Sequence, residues 1–258
     1  MLAASSPLPA VVERRSARRR FLLASVGALT TLAGCAAGRR VDPIPSGPAA
    51  VVPPMSRERR AALTPDHALD LLRAGNARFV AGQPARRDLY RAVKATADDA
   101  YPFAAILCCS EAQVVPEIVF DQSIGDLLIA RVLGHVVGPD VVGSVEYASR
   151  EAGARLVVVL GHESCGAVEV ALGDIAQGRR TTLAAAYRPL LDALSPEGMP
   201  RGVAREHLPG QMMRSHVSAT ARALLQRSAS LREQVARREV AVIGAILDPS
   251  SGQVSFDL

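Results

Sequence analysis

Two cysteines and a histidine are the residues of this chain whose types and spacing could do chemistry. Cys109 ends the apolar run FAAILCC (103–109), and His162 and Cys165 follow the run RLVVVLG (155–161). Two thiolates and one imidazole form a soft donor set that suits tetrahedral zinc. Three protein ligands leave the fourth position of the metal open, which is typical of a catalytic rather than a structural site.

The apolar runs before these residues predict strands of a parallel sheet. The β-branched run VVVL (157–160) has no polar alternation, which is typical of a strand covered on both faces. The runs LLIARVL (127–133) and VAVIGAIL (240–247) predict further strands, and DPSSGQVSFDL (248–258) predicts a turn before a last alternating segment. Because parallel strands end at one edge of a sheet, Cys109 is expected within reach of the other two ligands.

Helical periodicity fills the intervals between these strands. Helices are predicted over 65–81, 140–152, 166–176 and 211–227. Thr64 before Pro65 predicts the start of the first helix, as an N-cap followed by a first-turn proline. Strands that alternate with helices favour an α/β fold, with a mostly parallel sheet flanked by helices.

The first 35 residues predict an export signal. RRRFLL (18–23) resembles a twin-arginine signal, and the uncharged run at 21–34 is too short to cross a membrane as a helix. LAGC (32–35) resembles a bacterial lipobox, which makes Cys35 the predicted lipidation site. Ordinary signal cleavage nearby is the alternative.

Export places the rest of the chain in the periplasm or cell envelope, with membrane contact only through the lipid. Residues 36–56 are dense in Pro, Gly, Ala and Ser and predict a flexible tether. Residues 57–258 have the size of one domain with its own core.

The formal net charge of +5 does not indicate a nucleic-acid partner. Residues 1–34 carry five arginines and one glutamate, so removal of the signal leaves a net charge of +1. Such a chain is not basic enough for a phosphate backbone. Aromatic residues make up 3% of the chain and tryptophan is absent, which leaves few platforms for stacked bases.

The domain resembles the bacterial β-class carbonic anhydrases over nearly its whole length. The segments that carry the resemblance are LTPDHALDLLRAGNARFVAG, CCSEAQVVPEIVFDQSIGDLLIARVLGHVVG, GSVEYASREAGARLVVVLGHESCGAV and VAVIGAILDPSSGQVSFDL. The resemblance implies the β-carbonic-anhydrase fold, reversible hydration of carbon dioxide to bicarbonate, and homodimers or larger even oligomers. It also implies one Zn2+ ion per chain, held by Cys109, His162 and Cys165.

The chain departs from the family pattern C-S-D-S-R, in which an arginine clamps an aspartate that aims at the water on the metal. Glu111 stands in place of the aspartate and Gln113 in place of the arginine. Glutamate reaches one methylene further, and glutamine has neither the charge nor the forked geometry of a guanidinium. Glu111 is therefore expected either to become a fourth metal ligand that shuts the site or to act as a displaced base with reduced activity.

Two residues near the expected site have less specific interpretations. His135, where the family usually has asparagine, is a possible proton shuttle, although a lone histidine is more often a structural hydrogen-bonding residue. Cys108 alternates to the opposite strand face from Cys109 and is expected to be a small buried apolar residue.

Three hypotheses follow for the function. The first is a zinc-dependent carbonic anhydrase, and the second is a zinc-binding protein on the same scaffold that has lost the reaction. The third is a hydrolase that uses Ser164 of HESCG as a nucleophile, or a redox protein that pairs Cys109 with Cys165. The third lacks an accompanying oxyanion-hole stretch, so the sequence favours the first two.

Overall fold

The computed structural model describes residues 51–193 and 208–256, with side chains described over 51–188 and 210–256. The predicted export signal, its lipidation site Cys35 and most of the predicted tether lie outside these residues. The predicted domain bounds therefore stay predictions. Over the described ranges, no helix is both long enough and apolar enough to cross a membrane.

The strands form one mixed sheet in the order β2-β1-β3-β4-β5. They are β1 (Ala104–Cys108), β2 (Leu127–Arg131), β3 (Leu156–His162), β4 (Ala241–Leu247) and β5 (Val254–Ser255). The first four run parallel, and β5 pairs antiparallel with β4. This arrangement confirms the predicted α/β class with a mostly parallel sheet.

Helices flank the sheet and connect its strands. The described helices are α1 (Arg57–Ala61), α2 (Pro65–Val80), α3 (Leu89–Ala95), α4 (Pro116–Val119), α5 (Pro139–Arg150), α6 (Gly166–Ala176), α7 (Thr182–Ala193), α8 (Leu208–Arg227) and α9 (Ala229–Ala236). The four predicted helices correspond to α2, α5, α6 and α8, with bounds that differ by at most three residues. The Thr64 side chain accepts the His67 N–H at 3.2 Å, which is the predicted cap of α2.

The predicted strand 127–133 is too long by two residues. Strand β2 ends at Arg131, and a short 3₁₀ turn follows at Leu133–His135. Gly134 and His135 have φ angles of 63° and 42°, a left-handed conformation that cannot continue a strand. The predicted strand 103–109 is likewise too long at its end. Strand β1 ends at Cys108, so Cys109 lies just beyond it.

The central strands β1 and β3 are buried along their whole length, as the unalternated apolar runs predict. From β1 the chain passes to β2 on one side, and from β3 it passes to β4 on the other. The carboxyl ends of β1 and β3 therefore border a topological switch point, where α/β proteins bind their ligands.

Candidate metal centre

Four donor side chains meet at this switch point. They are Cys109, Glu111, His162 and Cys165, and their ligand atoms all lie within 4.8 Å of one another. The register that pairs Cys108 of β1 with Leu160 of β3 brings the two strand ends together. Sequence reasoning placed these four residues at one site, and the structure gathers all of them there.

His162 is oriented to offer a lone pair to the cluster. Its Nδ1 lies 3.0 Å from the carbonyl oxygen of Glu163, which can only accept, so Nδ1 carries the proton. The Nε2 atom is buried and has no hydrogen-bond partner within the described residues. A buried ring nitrogen left without a partner fits a ligand to a metal ion, with the other nitrogen held by the main chain.

Cys109 and Cys165 form a coupled pair of thiols. A hydrogen bond from the Cys165 thiol first, and then bonds from main-chain N–H groups, outweigh burial and lower the pKa of Cys109 to about 4. The same contact raises the pKa of Cys165. The site therefore stabilises a thiolate, which is the form of cysteine that binds a metal ion.

Glu111 is held in place by two N–H donors. Its Oε1 accepts the main-chain N–H of Gly166 at 2.8 Å, and its Oε2 accepts the Gln113 side-chain amide at 2.9 Å. The Cys165 sulfur lies 3.6 Å from Oε1. Gln113 is thus a neutral clamp on the carboxylate, in the position where the family pattern has an ionic one.

These contacts keep Glu111 ionised. Burial acts to raise the pKa of Glu111, but the hydrogen bonds from Gln113 first and then from Gly166 act against it, and the pKa is lowered. The carboxylate is therefore a hydrogen-bond acceptor and a weak base near neutral pH.

Arg131 supports the loop that carries Cys109 and Glu111, and sequence reasoning did not single it out. Its Nε donates to the carbonyl of Cys109 at 3.1 Å, and a second guanidinium nitrogen donates to the carbonyl of Glu111 at 2.6 Å. The position of Arg131 at the end of β2, beside β1, was the only signal that could have indicated this role.

Cys108 and His135 lie close to the cluster but outside it. Burial raises the pKa of the Cys108 thiol to about 12, which keeps the thiol neutral, as expected of a buried apolar residue. His135 has no exposed surface, and burial lowers its pKa well below the ordinary value. A neutral ring closed off from solvent does not favour the proton-shuttle role, which stays a prediction.

The geometry gives the hydrolase hypothesis little support. Ser164 has a φ angle of 54°, which a tight turn between a strand and a helix requires. Its side chain is exposed, however, and no hydrogen bond within the described residues involves its hydroxyl group. A serine nucleophile needs an adjacent general base, and none is positioned here.

The fold and the cluster together define an α/β protein with a candidate catalytic metal centre at the switch point of its sheet. A family model described as carbonic anhydrase matches residues 104–254. Carbonic anhydrase 2 of Mycobacterium tuberculosis is 36% identical over 189 residues, which cover 70% of this chain and 87% of that protein. The carbonic anhydrase of Mycolicibacterium smegmatis is 34% identical over 72% of this chain and 89% of its own.

Solved structures agree at the level of the fold. The β-carbonic anhydrase CafA of the fungal pathogen Aspergillus fumigatus superposes with a TM-score of 0.57 at 23% identity, over 65% of this chain and 80% of that one. The Coccomyxa β-carbonic anhydrase in complex with acetazolamide gives 0.56 at 20% identity, over 64% and 75%. The chain belongs to the carbonic anhydrase family, and its fold is that of the β-class.

Proposed function

We propose that this chain is a zinc-dependent carbonic anhydrase, which interconverts carbon dioxide and bicarbonate. The observation that carries the proposal is the convergence of two thiols, one imidazole with a free Nε2 and one ionised carboxylate at the switch point. Membership of the family supplies the reaction, and the donor set supports the metal.

Cys109, His162 and Cys165 would hold the zinc, because two sulfur donors and one nitrogen donor suit this ion and leave a position open. When bound, zinc lowers the pKa of a water in that position, so that a nucleophile for carbon dioxide forms near neutral pH. Two thiolates donate more charge than imidazoles would, which makes the support from surrounding residues more important.

Glu111 is the residue that we propose to orient the reacting water. Each of its oxygens already accepts one N–H bond, from Gly166 or Gln113, and an ionised carboxylate oxygen can accept a second. The two N–H bonds fix the carboxylate beside Cys165. A neutral clamp on Glu111 is weaker than a charged, bidentate one, so we expect slower turnover than an Asp/Arg pair would give.

We also propose that the protein works outside the cytoplasm, anchored by a lipid on Cys35, and that it forms homodimers or larger even oligomers. The first part is supported by the signal-like residues 1–35. The second is supported by the family resemblance and by one neighbour of the same fold, which is one of two β-carbonic anhydrases of Sordaria macrospora described as tetrameric.

Adjacent cysteines offer a matched test of the function. The full chain, loaded with zinc, is compared with Cys109→Ala and Cys108→Ala for zinc content and for carbon dioxide hydration by stopped flow. We expect about one zinc per chain and catalysed hydration in the wild type and in Cys108→Ala, and the loss of both in Cys109→Ala.

Two other outcomes would count against the proposal. Equal zinc content in both variants would remove Cys109 from the ligand set. A wild-type protein that binds zinc through Cys109 but hydrates carbon dioxide no faster than buffer would instead be the zinc-binding relative that has lost the reaction.

A further inference from the structure

The main chain of Gly134 links the candidate metal centre to two distant helices. The N–H of Gly134 donates to the sulfur of Cys109 at 3.2 Å. Its carbonyl oxygen accepts two hydrogen bonds, from the Tyr187 hydroxyl at 3.0 Å and from His216 Nε2 at 2.8 Å. Tyr187 lies on α7, 53 residues after Gly134, and His216 lies on α8, 82 residues after Gly134.

The turn that contains Gly134 needs external support. Gly134 and the next residue, His135, both have left-handed φ angles, and that conformation is costly for His135 because it has a side chain. A Cβ on residue 134 would lie 2.1 Å from the Tyr187 hydroxyl oxygen, so only glycine allows Tyr187 to approach. Two hydrogen bonds to one carbonyl hold this turn in its orientation.

These bonds are made away from water. Tyr187 and His216 are 1% and 7% exposed. Since a carbonyl oxygen only accepts, His216 must carry its proton on Nε2. The His216 ring also packs against the rings of His135 and Tyr187, with centroid distances of 4.4 and 4.6 Å, and these contacts restrict the direction of its N–H.

We propose that Tyr187 and His216 are positioning residues that aim the Gly134 N–H at the Cys109 sulfur and thereby reduce the charge this thiolate donates to a bound metal. This inference rests on the proposed function. A hydrogen bond to a ligating thiolate withdraws charge from the sulfur and makes the metal a stronger Lewis acid. In a site with two thiolates, that correction favours reaction near neutral pH.

Cobalt(II) in place of zinc gives a readout that does not depend on turnover, because its thiolate-to-cobalt absorption band reports the charge on sulfur. Tyr187→Phe removes only the hydroxyl group and keeps the ring. His216→Leu removes the second donor, while His216→Gln keeps an N–H donor at that position. Tyr90→Phe is the matched control, because this tyrosine is 70% exposed and lies on α3.

We expect the cobalt band to move to longer wavelength in Tyr187→Phe and in His216→Leu, and to return towards the wild-type position in His216→Gln. The midpoint of the pH profile for carbon dioxide hydration should rise in Tyr187→Phe and in His216→Leu, and should return towards the wild-type value in His216→Gln. Tyr90→Phe should match the wild type in both measurements.

An unmoved band in a Tyr187→Phe protein that folds and binds cobalt would overturn the positioning role. A wild-type protein with no thiolate-to-cobalt band at all would instead refute the ligand set of the proposed function. The single Tyr187→Phe variant decides the question even if His216→Leu fails to fold, since it keeps the packed ring.

Discussion

Glu111 and Gln113 are the residues at which this chain differs most from the family pattern. The sequence left open whether Glu111 would shut the site or act as a displaced base. In the structure both of its oxygens accept N–H donors, and one donor is the neutral amide of Gln113. Glu111 is therefore held by hydrogen bonds and not by an ion pair. The position of its carboxylate beside Cys165 depends on these hydrogen bonds.

Replacing Gln113 by alanine should slow hydration. The change removes the 2.9 Å bond to Glu111 and leaves the carboxylate with the Gly166 N–H only, so that it can rotate out of its position beside Cys165. Loss of such an outer partner costs about 10- to 100-fold in activity. Stopped-flow kcat/KM measures the effect, and Gln83→Ala at an exposed position is the control. Equal rates for the two variants would show that the bond from Gln113 to Glu111 is not needed for catalysis.

At the scale of elements, the placement of the site follows from the order of the strands and from close contacts of the helices. The chain leaves β1 and β3 in opposite directions, and the site lies between these exits. Helix α2 in turn contacts α4, which follows the loop of Glu111. Gly75 lies at this contact.

Gly75→Ala should destabilise the fold. A Cβ there would lie 1.7 Å from the carbonyl oxygen of Phe120, so α2 and the end of α4 would have to separate. Overpacking of this kind costs roughly 1–3 kcal/mol of unfolding free energy. Gly143→Ala, at an exposed position of α5 where a Cβ meets nothing within 4 Å, should instead gain about 0.5–1 kcal/mol of unfolding free energy.

Urea denaturation of both glycine variants checks the prediction. Equal stabilities for Gly75→Ala and the wild type would mean that the two helices do not approach as closely in solution.

The turn between β4 and β5 should lose stability in acid. Hydrogen bonds from Ser250 and Ser251 lower the pKa of Asp248 from its ordinary 3.8 to about 2. Because the folded pKa is the lower one, the stabilisation is complete above about pH 4 and is lost as the pH falls towards 2. The gap in urea-unfolding free energy between the wild type and Asp248→Asn should close over that range.

Exposed Asp98→Asn is the control for the loss of a surface carboxylate in general. The account would be contradicted if the difference in unfolding free energy between the wild type and Asp248→Asn stayed constant from neutral pH down to the Asp248 pKa of about 2.

Much of the fold could be predicted from the sequence because the signals are local. The unalternated runs predicted β1 and β3, and a Thr-Pro pair predicted the start of α2. Helix α7, with the sequence TLAAAYRPLLDA, was missed because its alanines and internal proline hide the apolar period. The left-handed turn at Gly134 was missed because its cost is offset by residues on α7 and α8, which no local pattern reveals.

The donor set of the site was predicted, while its support was not. Cys109, His162 and Cys165 stand at strand ends, and their types alone indicate a metal. Arg131 and Tyr187 act through main-chain carbonyls, and such contacts depend on distance in space. Their roles therefore became visible only in the structure.

At the scale of the whole molecule, export and lipid anchoring are proposals that rest on the signal-like first 35 residues. The lipobox prediction requires Cys35, so cells fed a labelled fatty acid should incorporate it into the wild type and not into Cys35→Ser. The variant should also leave the membrane fraction. Labelling of both proteins would contradict lipidation at Cys35, and labelling of neither would favour ordinary signal cleavage.

Stopped-flow carbon dioxide hydration by the zinc-loaded wild-type chain, beside the Glu111→Asp plus Gln113→Arg double variant, tests the central claim most directly. The account predicts saturable catalysis by the wild type and faster catalysis by the double variant, whose aspartate would be clamped by a guanidinium. A zinc-loaded wild type that is inert while the double variant is active would contradict the claim, since the fold and metal would then persist without the reaction.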